Sequence, residues 1–410
     1  MLVAGEASGD KHGASLVRAL KDLHPETNYH FFGSGGAEMR SAGVETLVDV
    51  RDVAIIGVAE VASAAGRLYR AYRTLLSAAR TRRPSIVVLI DWPDFNLRLA
   101  KKLHRDSFKI VYYISPQIWA WRKYRIHAMR RDIDRMIVIL PFEEQFYKGQ
   151  GLDVRYVGHP LANVVRTTRT RAEFCERYGL DPRRPMFALL PGSRHKEIAH
   201  HLPVMLDAAS RLRTFQMCVE PAGINRAALS PVTDQPPEPF AQSSAPQFVI
   251  PLASTVRRAD VEQAVQQVSS SNGDEPLCTI IESDTYNVLG HSSFAIVASG
   301  TATVEAALSG VPMIIIYRGS DLNWRLIRPL IHLKDIGMVN LIAGRRVVPE
   351  LLQHDATGEN IAREASDILS DPARITEMRQ ELARVRELIE AGGSSASERA
   401  AQAVLEMGGN

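Results

Sequence analysis

Two short turns rich in glycine and hydroxyl residues, in opposite halves of the chain, have the composition of phosphate-binding loops. The first, residues 5–10 (GEASGD), follows the apolar run 2–4, and the second, residues 299–303 (SGTAT), follows the apolar run 294–298. A strand that ends in such a turn directs unpaired backbone N–H groups and a helix dipole at one spot, which suits a phosphate. Glycine lets the backbone approach a ligand closely. The two turns predict two nucleotide-type domains that face each other.

The main candidate for acid–base chemistry is Asp91, in the segment 90–96 (IDWPDFN). The apolar run before it, residues 86–90, predicts a buried parallel strand, so Asp91 emerges at the carboxyl end, where open α/β sheets bind ligands. Two interpretations stay open: a general base in the crevice, or a loop carboxylate that accepts hydrogen bonds from nearby N–H groups. Asp94 is expected to cap the helix that follows.

Polar residues after the strands of the second half are candidates for binding a nucleotide. Ser193 and Arg194 (LLPGSR) follow the strand predicted at 186–190. The Arg194 guanidinium fits the oxygens of a diphosphate, and a surface salt bridge is the alternative. Glu305 lies one turn into the helix after SGTAT, where it either accepts hydrogen bonds from ribose hydroxyls or interacts with the helix dipole. The same two interpretations apply to Glu6.

The aromatic segment 113–122 (YISPQIWAWR) also follows a predicted strand end. Its Trp119 and Trp121 either pack in the core or form, with Arg122, a wall for a sugar or an anionic acceptor. His159, in the sequence GHP, is either part of an interdomain turn or a second base.

Residues 53–79 combine apolar positions, among them Ile55, Ile56 and Val58, with arginines 67, 70 and 73 at helical spacing. Such a helix either lies at a membrane interface or is solvated on a domain face. Its many alanines make the apolar face shallow, which predicts weak membrane contact.

Composition narrows the classes of protein. The 410 residues are 45% apolar and 23% charged, which is typical of a soluble globular protein of two domains. A net charge of +3, without an aromatic and basic binding signature, argues against nucleic acid and fits an anionic substrate or an anionic membrane surface. Three scattered cysteines (175, 218 and 278) predict reduced thiols, and the twelve histidines form no metal-binding pattern. We therefore expect neither a metal nor a cofactor.

Apolar runs alternate with amphipathic stretches, which predicts an α/β protein with two doubly wound, Rossmann-like domains facing across a cleft. We predict a first domain at 1–165 and a second at 166–384, with a linker at 166–171 and a C-terminal helix, about 385–410, that could pack back on the first domain. Residues 221–246 predict an irregular excursion. The predicted strands are 2–4, 29–32, 86–90, 110–114, 136–140 and 154–157, then 186–190, 248–252, 294–298 and 313–317.

Taken together, the motifs resemble the lipid A disaccharide synthase family, bacterial glycosyltransferases of the GT-B fold. The resemblance covers nearly the whole chain apart from residues 221–246. It rests on several long motifs in the family's order: AGEASGD, IDWPDFNL, YYISPQIWAWR, PFEEQFY, VGHPLA, LLPGSR, ASGTATVEAAL and NLIAG.

The resemblance implies a metal-independent, inverting transfer. The donor would be UDP-2,3-diacylglucosamine, and the acceptor would be the 6-hydroxyl of 2,3-diacylglucosamine 1-phosphate. The products would be UDP and a β-1,6-linked tetra-acyl disaccharide 1-phosphate, a lipid A precursor. It also implies a cytoplasmic enzyme held peripherally on the inner membrane, and a homodimer is left open.

The resemblance also implies roles for individual residues. Asp91 would deprotonate the acceptor. Arg194, with the N–H groups around Ser299, Gly300 and Thr301, would neutralise the departing diphosphate, and Glu305 would hold the ribose. The remaining residues expected to bind substrate are Glu6, Ser8, Gly9, Ser193 and Asn340.

Two departures from the family pattern stand out. Val339 replaces a proline that often precedes the asparagine equivalent to Asn340, and Ala59 and the alanine-rich residues 62–65 make the patch expected to touch the membrane less apolar.

The alternatives to this family are another GT-B enzyme, either a glycosyltransferase with a soluble acceptor or a UDP-sugar 2-epimerase, and a nucleotide-binding protein without catalysis. A dinucleotide dehydrogenase is disfavoured because GEASGD lacks the pattern GxGxxG.

Overall fold

The computed structural model describes residues 1–53, 61–121, 123–213, 245–253, 255–269, 277–320 and 335–408. Ile55, Ile56, Val58, Arg122, Cys218 and most of the predicted excursion at 221–246 lie outside these ranges. The described residues form two compact units, Met1–Ala162 with Ile389–Asn410, and Asn163–Leu388.

The first unit is built on a seven-stranded parallel sheet with strand order β3-β2-β1-β4-β5-β6-β7. The strands are β1 Leu2–Val3, β2 Phe31–Gly35, β3 Val44–Asp49, β4 Val87–Ile90, β5 Ile110–Tyr113, β6 Arg135–Val138 and β7 Val154–Tyr156. The helices are α1 Ala7–Leu23, α2 Ala37–Ser41, α3 Val50–Val53, α4 Val61–Arg82, α5 Pro93–Arg105, α6 Ile118–Trp121, α7 Ile126–Asp132, α8 Pro141–Lys148 and α17 Ala396–Gly408.

Each face of this sheet is covered by helices, because its strands are apolar on both sides. Tyr112 points into a core shared with α4 and α5, while the neighbouring Tyr113 lies in a second core with α1. The C-terminal helix α17 joins this second core through Ala400, Ala401 and Val404.

The second unit is built on a six-stranded parallel sheet with strand order β10-β9-β8-β11-β12-β13. The strands are β8 Met186–Leu190, β9 Gln247–Leu252, β10 Cys278–Glu282, β11 Phe294–Ala298, β12 Met313–Tyr317 and β13 Glu350–Leu352. The helices are α9 Arg171–Tyr178, α10 His195–Leu212, α11 Arg258–Ser269, α12 Thr285–His291, α13 Thr301–Leu308, α14 Met338–Ala343, α15 Gly358–Leu369 and α16 Pro372–Glu390.

The predicted α/β class with two doubly wound, Rossmann-like sheets is confirmed. Each strand order reverses at one point, between β1 and β4 in the first sheet and between β8 and β11 in the second. In open α/β sheets this switch point, at the carboxyl ends of the strands, is where ligands bind.

The residues predicted as a linker, 166–171, are bound to the second unit instead. Asn287 Oδ1 accepts hydrogen bonds from the backbone N–H groups of Thr168 (2.9 Å) and Arg169 (3.0 Å). Helix α9 then begins at Arg171, with Thr170 as its N-cap. The chain therefore enters the second unit earlier than its polar, threonine-rich composition indicated.

Candidate active site

The switch point of the first unit brings two of the predicted segments together. Strands β1 and β4 are adjacent, with Val3 beside Leu89, so the loop after Val3 and the loop after Ile90 leave the sheet side by side. Glu6 in the first loop and Ser8 in the first turn of α1 are exposed, whereas Gly9 is buried, and a Cβ atom there would stand 3.2 Å from the Ala4 side chain. Asp91 begins the second loop.

Gly5 is required because an indole ring lies against it. A Cβ atom at Gly5 would stand 2.0 Å from Cδ2 of Trp92, so no larger residue fits without moving that ring. The Trp92 ring is itself stacked on Phe95, with ring centroids 3.8 Å apart and planes 9° from parallel. This contact fixes the distance between the Gly5 loop and the Asp91 loop.

Asp91 has a strained backbone that neighbouring groups hold in place. Its φ is +47°, and that of Trp92 is +52°, a left-handed region that costs non-glycine residues about 1–3 kcal/mol each. The Asp91 N–H donates to the Tyr113 carbonyl (3.0 Å), and its carbonyl accepts from Tyr112 Oη (2.6 Å) and Asn96 Nδ2 (2.7 Å). Such strain persists only where the surroundings determine the conformation, and it is concentrated at functional sites.

The carboxyl group of Asp91 is poised to exchange a proton near neutral pH. Burial raises its pKa to about 6, the negative charge of Glu6 adds to this, and a hydrogen bond from the Trp92 N–H acts in the opposite direction. A base works best when its pKa lies near the working pH. The hydrogen-bonding role considered for Asp91 is thus present, but it is the smallest of these influences.

Other polar residues of the same motifs have structural roles. Asp10, the last residue of GEASGD, is buried and accepts hydrogen bonds from the N–H groups of Gly36 (2.6 Å) and Met39 (3.0 Å), around the start of α2. The prediction that Asp94 caps α5 is wrong. The N-cap position belongs to Trp92, because Pro93 already begins the helix, and Asp94 forms an ion pair with Arg125.

The switch point of the second unit likewise brings together two predicted loops. Strands β8 and β11 are adjacent, with Leu190 beside Val297, so the loop carrying Ser193 and Arg194 lies next to the turn that begins at Ser299. The structure therefore places Arg194 and the SGTAT turn at the carboxyl ends of neighbouring strands.

Gly300 gives the SGTAT turn a conformation that a side chain would oppose. Its φ is +154°, and a Cβ atom there would meet no atom within 4 Å, so the space in front of the turn is open. Helix α13 begins at the exposed Thr301, and the first N–H groups of a helix have no partners within it. This end of α13 can therefore bind an anion through its backbone.

Arg194 is available for a ligand but has a partner nearby. Its side chain is 80% exposed, and Nη1 lies 3.2 Å from Oε1 of Glu197. The other Glu197 oxygen accepts hydrogen bonds from the backbone N–H groups of Ser193 (2.9 Å) and Arg194 (3.3 Å). An exposed ion pair of this kind is weak, so the guanidinium can turn to a diphosphate at little cost.

Glu305 lies half-buried on α13, where Tyr286 orients its carboxyl group. Burial raises the pKa of Glu305, and a hydrogen bond with the Tyr286 side chain opposes the effect. The carboxylate is thus held within one helical turn of the open N-terminus.

Asn340 differs from the other predicted substrate-binding residues, because its amide is fully used inside the protein. Nδ2 donates to the Val348 carbonyl (2.9 Å) and to Oε1 of Glu350 (2.7 Å), while Oδ1 accepts from the N–H groups of Val347 (2.8 Å) and Val348 (3.0 Å). In this conformation it organises the loop between α14 and β13.

Two residues with open interpretations prove to be buried. Trp119 packs in the first unit, and its Nε1 donates to Glu143 (3.0 Å), which favours the core role; the side chain of Trp121 lies outside the description. Burial lowers the pKa of His159 to about 4, and the Leu161 N–H donates to its Nδ1 (3.2 Å). A neutral imidazole held this way favours a structural turn.

Some relevant groups were missed by sequence reasoning, and the clearest is Glu143. Its motif, PFEEQFY, contains two consecutive glutamates, and nothing in their order indicates which one is buried.

Within the ranges listed above, no group of three or more His, Cys, Asp or Glu side chains is arranged to hold a metal ion.

Comparison with known proteins identifies the family. A family model described as lipid-A-disaccharide synthetase matches residues 1–221 and 240–406. The lipid-A-disaccharide synthase of Geobacter sulfurreducens is 43% identical, with 99% of this chain and 96% of that protein covered. The synthase of Koribacter versatilis is 40% identical, with coverage of 99% and 98%.

Solved structures show the same fold at much lower identity. A putative UDP-N-acetylglucosamine 2-epimerase from Listeria monocytogenes superimposes with a TM-score of 0.59 at 14% identity, covering 99% of this chain and 94% of that one. The calicheamicin glycosyltransferase CalG4 gives 0.54 at 15%, covering 99% and 96%. These likenesses show the fold alone, and the sequence matches show the family. The chain belongs to the lipid-A-disaccharide synthase family and is a glycosyltransferase.

Proposed function

We propose that this protein transfers 2,3-diacylglucosamine from UDP-2,3-diacylglucosamine to the 6-hydroxyl of 2,3-diacylglucosamine 1-phosphate. The products are UDP and a β-1,6-linked tetra-acyl disaccharide 1-phosphate, a precursor of lipid A. The observation that carries the proposal is Asp91: a carboxyl group with a raised pKa, on a strained turn at a switch point, in a chain that matches this family nearly end to end.

On the acceptor side, Asp91 acts as the general base. It removes the proton of the 6-hydroxyl while that oxygen attacks the anomeric carbon of the donor sugar, and the bond from that carbon to the UDP oxygen breaks. Attack from the face opposite the leaving group inverts the anomeric centre. Glu6, Ser8 and Gly9 shape the same side, and the charge of Glu6 adds to the effect of burial, which raises the Asp91 pKa.

On the donor side, cationic and N–H groups stabilise the leaving diphosphate. Arg194 supplies the positive charge, and Ser193 with the turn Ser299, Gly300 and Thr301 supplies further polar groups. Glu305 accepts hydrogen bonds from the ribose hydroxyls. Asn340 contributes indirectly, because its amide holds the loop that leads into β13. No metal is needed when charge on the leaving group is neutralised in this way.

The division of labour follows the predicted domains: residues 1–165 serve the acceptor, and residues 166–384 bind the UDP-sugar. Both substrates carry acyl chains, so the enzyme works at the cytoplasmic face of the inner membrane. Helix α4 supports contact with anionic lipid, since Tyr69 is 61% exposed and Arg70 and Arg73 are also exposed. In the parts of the chain that the structure describes, every helix is too short or too polar to cross a bilayer.

The direct test is an assay of the purified protein with both substrates. We expect release of UDP together with a disaccharide of the predicted mass, whose new linkage is β-1,6 by NMR. An acceptor that lacks the 6-hydroxyl group serves as the matched control and should give no disaccharide. A 2-epimerised sugar formed without any acceptor, or transfer to the control acceptor, would contradict the proposal.

A further inference from the structure

The segment that follows β5 has an unusual backbone at its start. Ile114, the first residue after the strand, has φ +66°, a left-handed value that is exceptional for a β-branched residue. Residues 115 and 116 are buried, as are 118 and 119, whereas Gln117 between them is exposed. Because Ile114 is strained, hydrogen bonds from the surrounding structure are needed to hold this short buried segment in place.

Helix α8 supplies those partners. Glu143 is 1% exposed, and its Oε1 accepts hydrogen bonds from Ser115 Oγ (2.6 Å) and Trp119 Nε1 (3.0 Å). Its Oε2 accepts from the Leu140 N–H (3.2 Å). One helical turn further along α8, Tyr147 Oη donates to the Pro116 carbonyl (3.0 Å). Both ends of the segment and its middle are therefore tied to one helix.

The same segment is joined to the loop that carries the base. Strands β4 and β5 are adjacent, with Ile90 beside Tyr113. The Asp91 N–H donates to the Tyr113 carbonyl (3.0 Å), and Tyr112 Oη donates to the Asp91 carbonyl (2.6 Å). The Gln117 segment and Asp91 therefore leave neighbouring strands at the same edge of the sheet.

The stability of the fold does not require a carboxylate at position 143. A buried carboxylate is destabilising unless several donors satisfy it, and an apolar side chain would fill the space at lower cost. The carboxylate instead fixes geometry, because hydrogen bonds to its Oε1 hold the side chains of Ser115 and Trp119 at defined positions. The backbone of the exposed residue between those two positions, Gln117, is thereby anchored on both sides.

Building on the function proposed above, we infer that Glu143 is a positioning residue for the transferase reaction. It holds residues 115–119 as the acceptor side of the site beside Asp91, and the amide of Gln117 donates to and accepts from polar groups of the acceptor sugar. Glu143 touches no substrate and acts through the segment.

The first experiment compares Gln117→Ala, Glu143→Gln and the double variant, with steady-state kinetics in which each substrate is varied in turn. The loss of one or two hydrogen bonds should raise the KM for the acceptor about 5- to 30-fold in each single variant, with the KM for the donor changed less than about twofold. Because both residues act through one contact with the acceptor, the acceptor KM of the double variant should be no higher than that of the more impaired single variant.

The matched control is Glu144→Gln, one residue along the same helix. Glu144 pairs with Lys148 on the surface of α8, so its loss should leave both KM values unchanged. Ser115→Ala removes a single donor to Glu143 without adding charge or bulk. It should raise the acceptor KM in the same direction, which keeps the inference testable if Glu143→Gln fails to fold.

A spectroscopic test follows the hydrogen bond itself. Burial raises the pKa of Glu143 to about 7, so Trp119 emission, isolated by subtracting the spectrum of Trp119→Phe, should change with a midpoint near pH 7. Among the described residues, the other titratable groups that interact with this carboxyl are the phenols of Tyr147 and Tyr156, and burial raises the pKa of both far above that range. The transition should vanish in Glu143→Gln and persist in Glu144→Gln.

The two levels of proposal fail in different ways. If the wild-type protein makes no disaccharide, the proposed function is wrong whatever Glu143 does. If the disaccharide is made, but Gln117→Ala and Ser115→Ala leave the acceptor KM unchanged, then the segment does not serve the acceptor. Additive effects in the double variant would also overturn the inference, because they would mean that Glu143 acts independently of Gln117.

Discussion

The two switch points occupy the same place in two similar sheets, yet they differ in electrostatic character. At the first, Asp91 is half-buried on a strained turn, and both burial and Glu6 oppose its negative charge. At the second, Arg194 is exposed, and the turn at Gly300 opens onto free space. The surroundings of Asp91 destabilise a negative charge, whereas those of Arg194 and Gly300 stabilise one. The same topology can thus supply a base in one unit and an anion site in the other.

The largest expected effect comes from removing the base. Asp91→Asn should lower kcat by about 10³-fold or more, in line with the contribution of general bases, while the Kd for UDP changes little. Turnover and calorimetric titration of UDP measure the two quantities. Asp106→Asn, at an exposed ion pair with Arg80, is the control and should retain activity.

The pH profile of the wild type reports the same carboxyl group. Because Asp91 cannot act as a base once it is protonated, kcat/KM should fall about tenfold per pH unit below about pH 6.

The same substitution should stabilise the fold. The folded protein holds the Asp91 proton up to about pH 6, whereas the unfolded chain loses it near pH 3.8, so stability declines as the pH rises through that window. Each pH unit is worth about 1.4 kcal/mol, and the full penalty is roughly 3 kcal/mol above pH 6. Asp91→Asn should therefore raise the free energy of unfolding in urea at pH 8, and this gain should disappear below about pH 4. An equal gain at both pH values would show that the charge is not the cause.

A smaller effect is expected at the second switch point. Arg194→Ala should reduce kcat/KM about 10- to 100-fold, because it removes charge-assisted hydrogen bonds to the diphosphate worth about 1.5–3 kcal/mol. Arg211→Ala is the control, because Arg211 lies on α10, the helix that begins directly after Arg194, and pairs with Asp207 at the surface. Arg194→Lys should restore only part of the activity, since an ammonium cannot make the two-pronged contact. Wild-type activity in Arg194→Ala would reduce this residue to its ion pair with Glu197.

The smallest effect concerns the ribose. Glu305→Gln should weaken UDP binding about 3- to 10-fold, because a neutral amide is a poorer acceptor for hydroxyl groups than a carboxylate. The wild type should also bind 2′-deoxy-UDP less tightly than UDP, and the variant should have lost that discrimination. Glu359→Gln, in the first turn of α15, controls for a change at a helix N-terminus. If both proteins bind the two nucleotides alike, Glu305 does not hold the ribose.

The sequence predicted the central strands well and the edges poorly. Continuous apolar runs, such as the one before Asp91, mark strands buried on both faces, and the loops that follow them were found for the same reason. The strands that were missed, β3, β10 and β13, are all edge strands of their sheets and are only partly buried. Their mixed polar and apolar residues do not differ from those of a loop.

Individual roles were predictable only where position along a strand decides them. The positions of Asp91 and Arg194 at the carboxyl ends of strands follow from the apolar runs before them, while their roles stay predictions. The burial of Glu143 beside an exposed Glu144 depends on how α8 packs, and no local pattern carries that information. Asn340 was predicted to bind substrate, and nothing in the sequence indicates that its amide makes four hydrogen bonds with the backbone of Val347 and Val348 and the side chain of Glu350, which the fold of the loop before β13 brings to it. Roles of this kind depend on tertiary neighbours.

The closing helix of the chain, α17, has a consequence for synthesis. Its Ala400, Ala401 and Val404 complete the core beneath α1, Arg135 Nη1 donates to the Ala403 carbonyl (2.9 Å), and Arg399 Nε donates to the Val157 carbonyl (2.8 Å). During translation this apolar surface of the amino-terminal unit therefore stays uncovered until residues 396–408 have left the ribosome. The unit made second can finish folding first, and a fragment ending at Ala162 would lack part of its own interior.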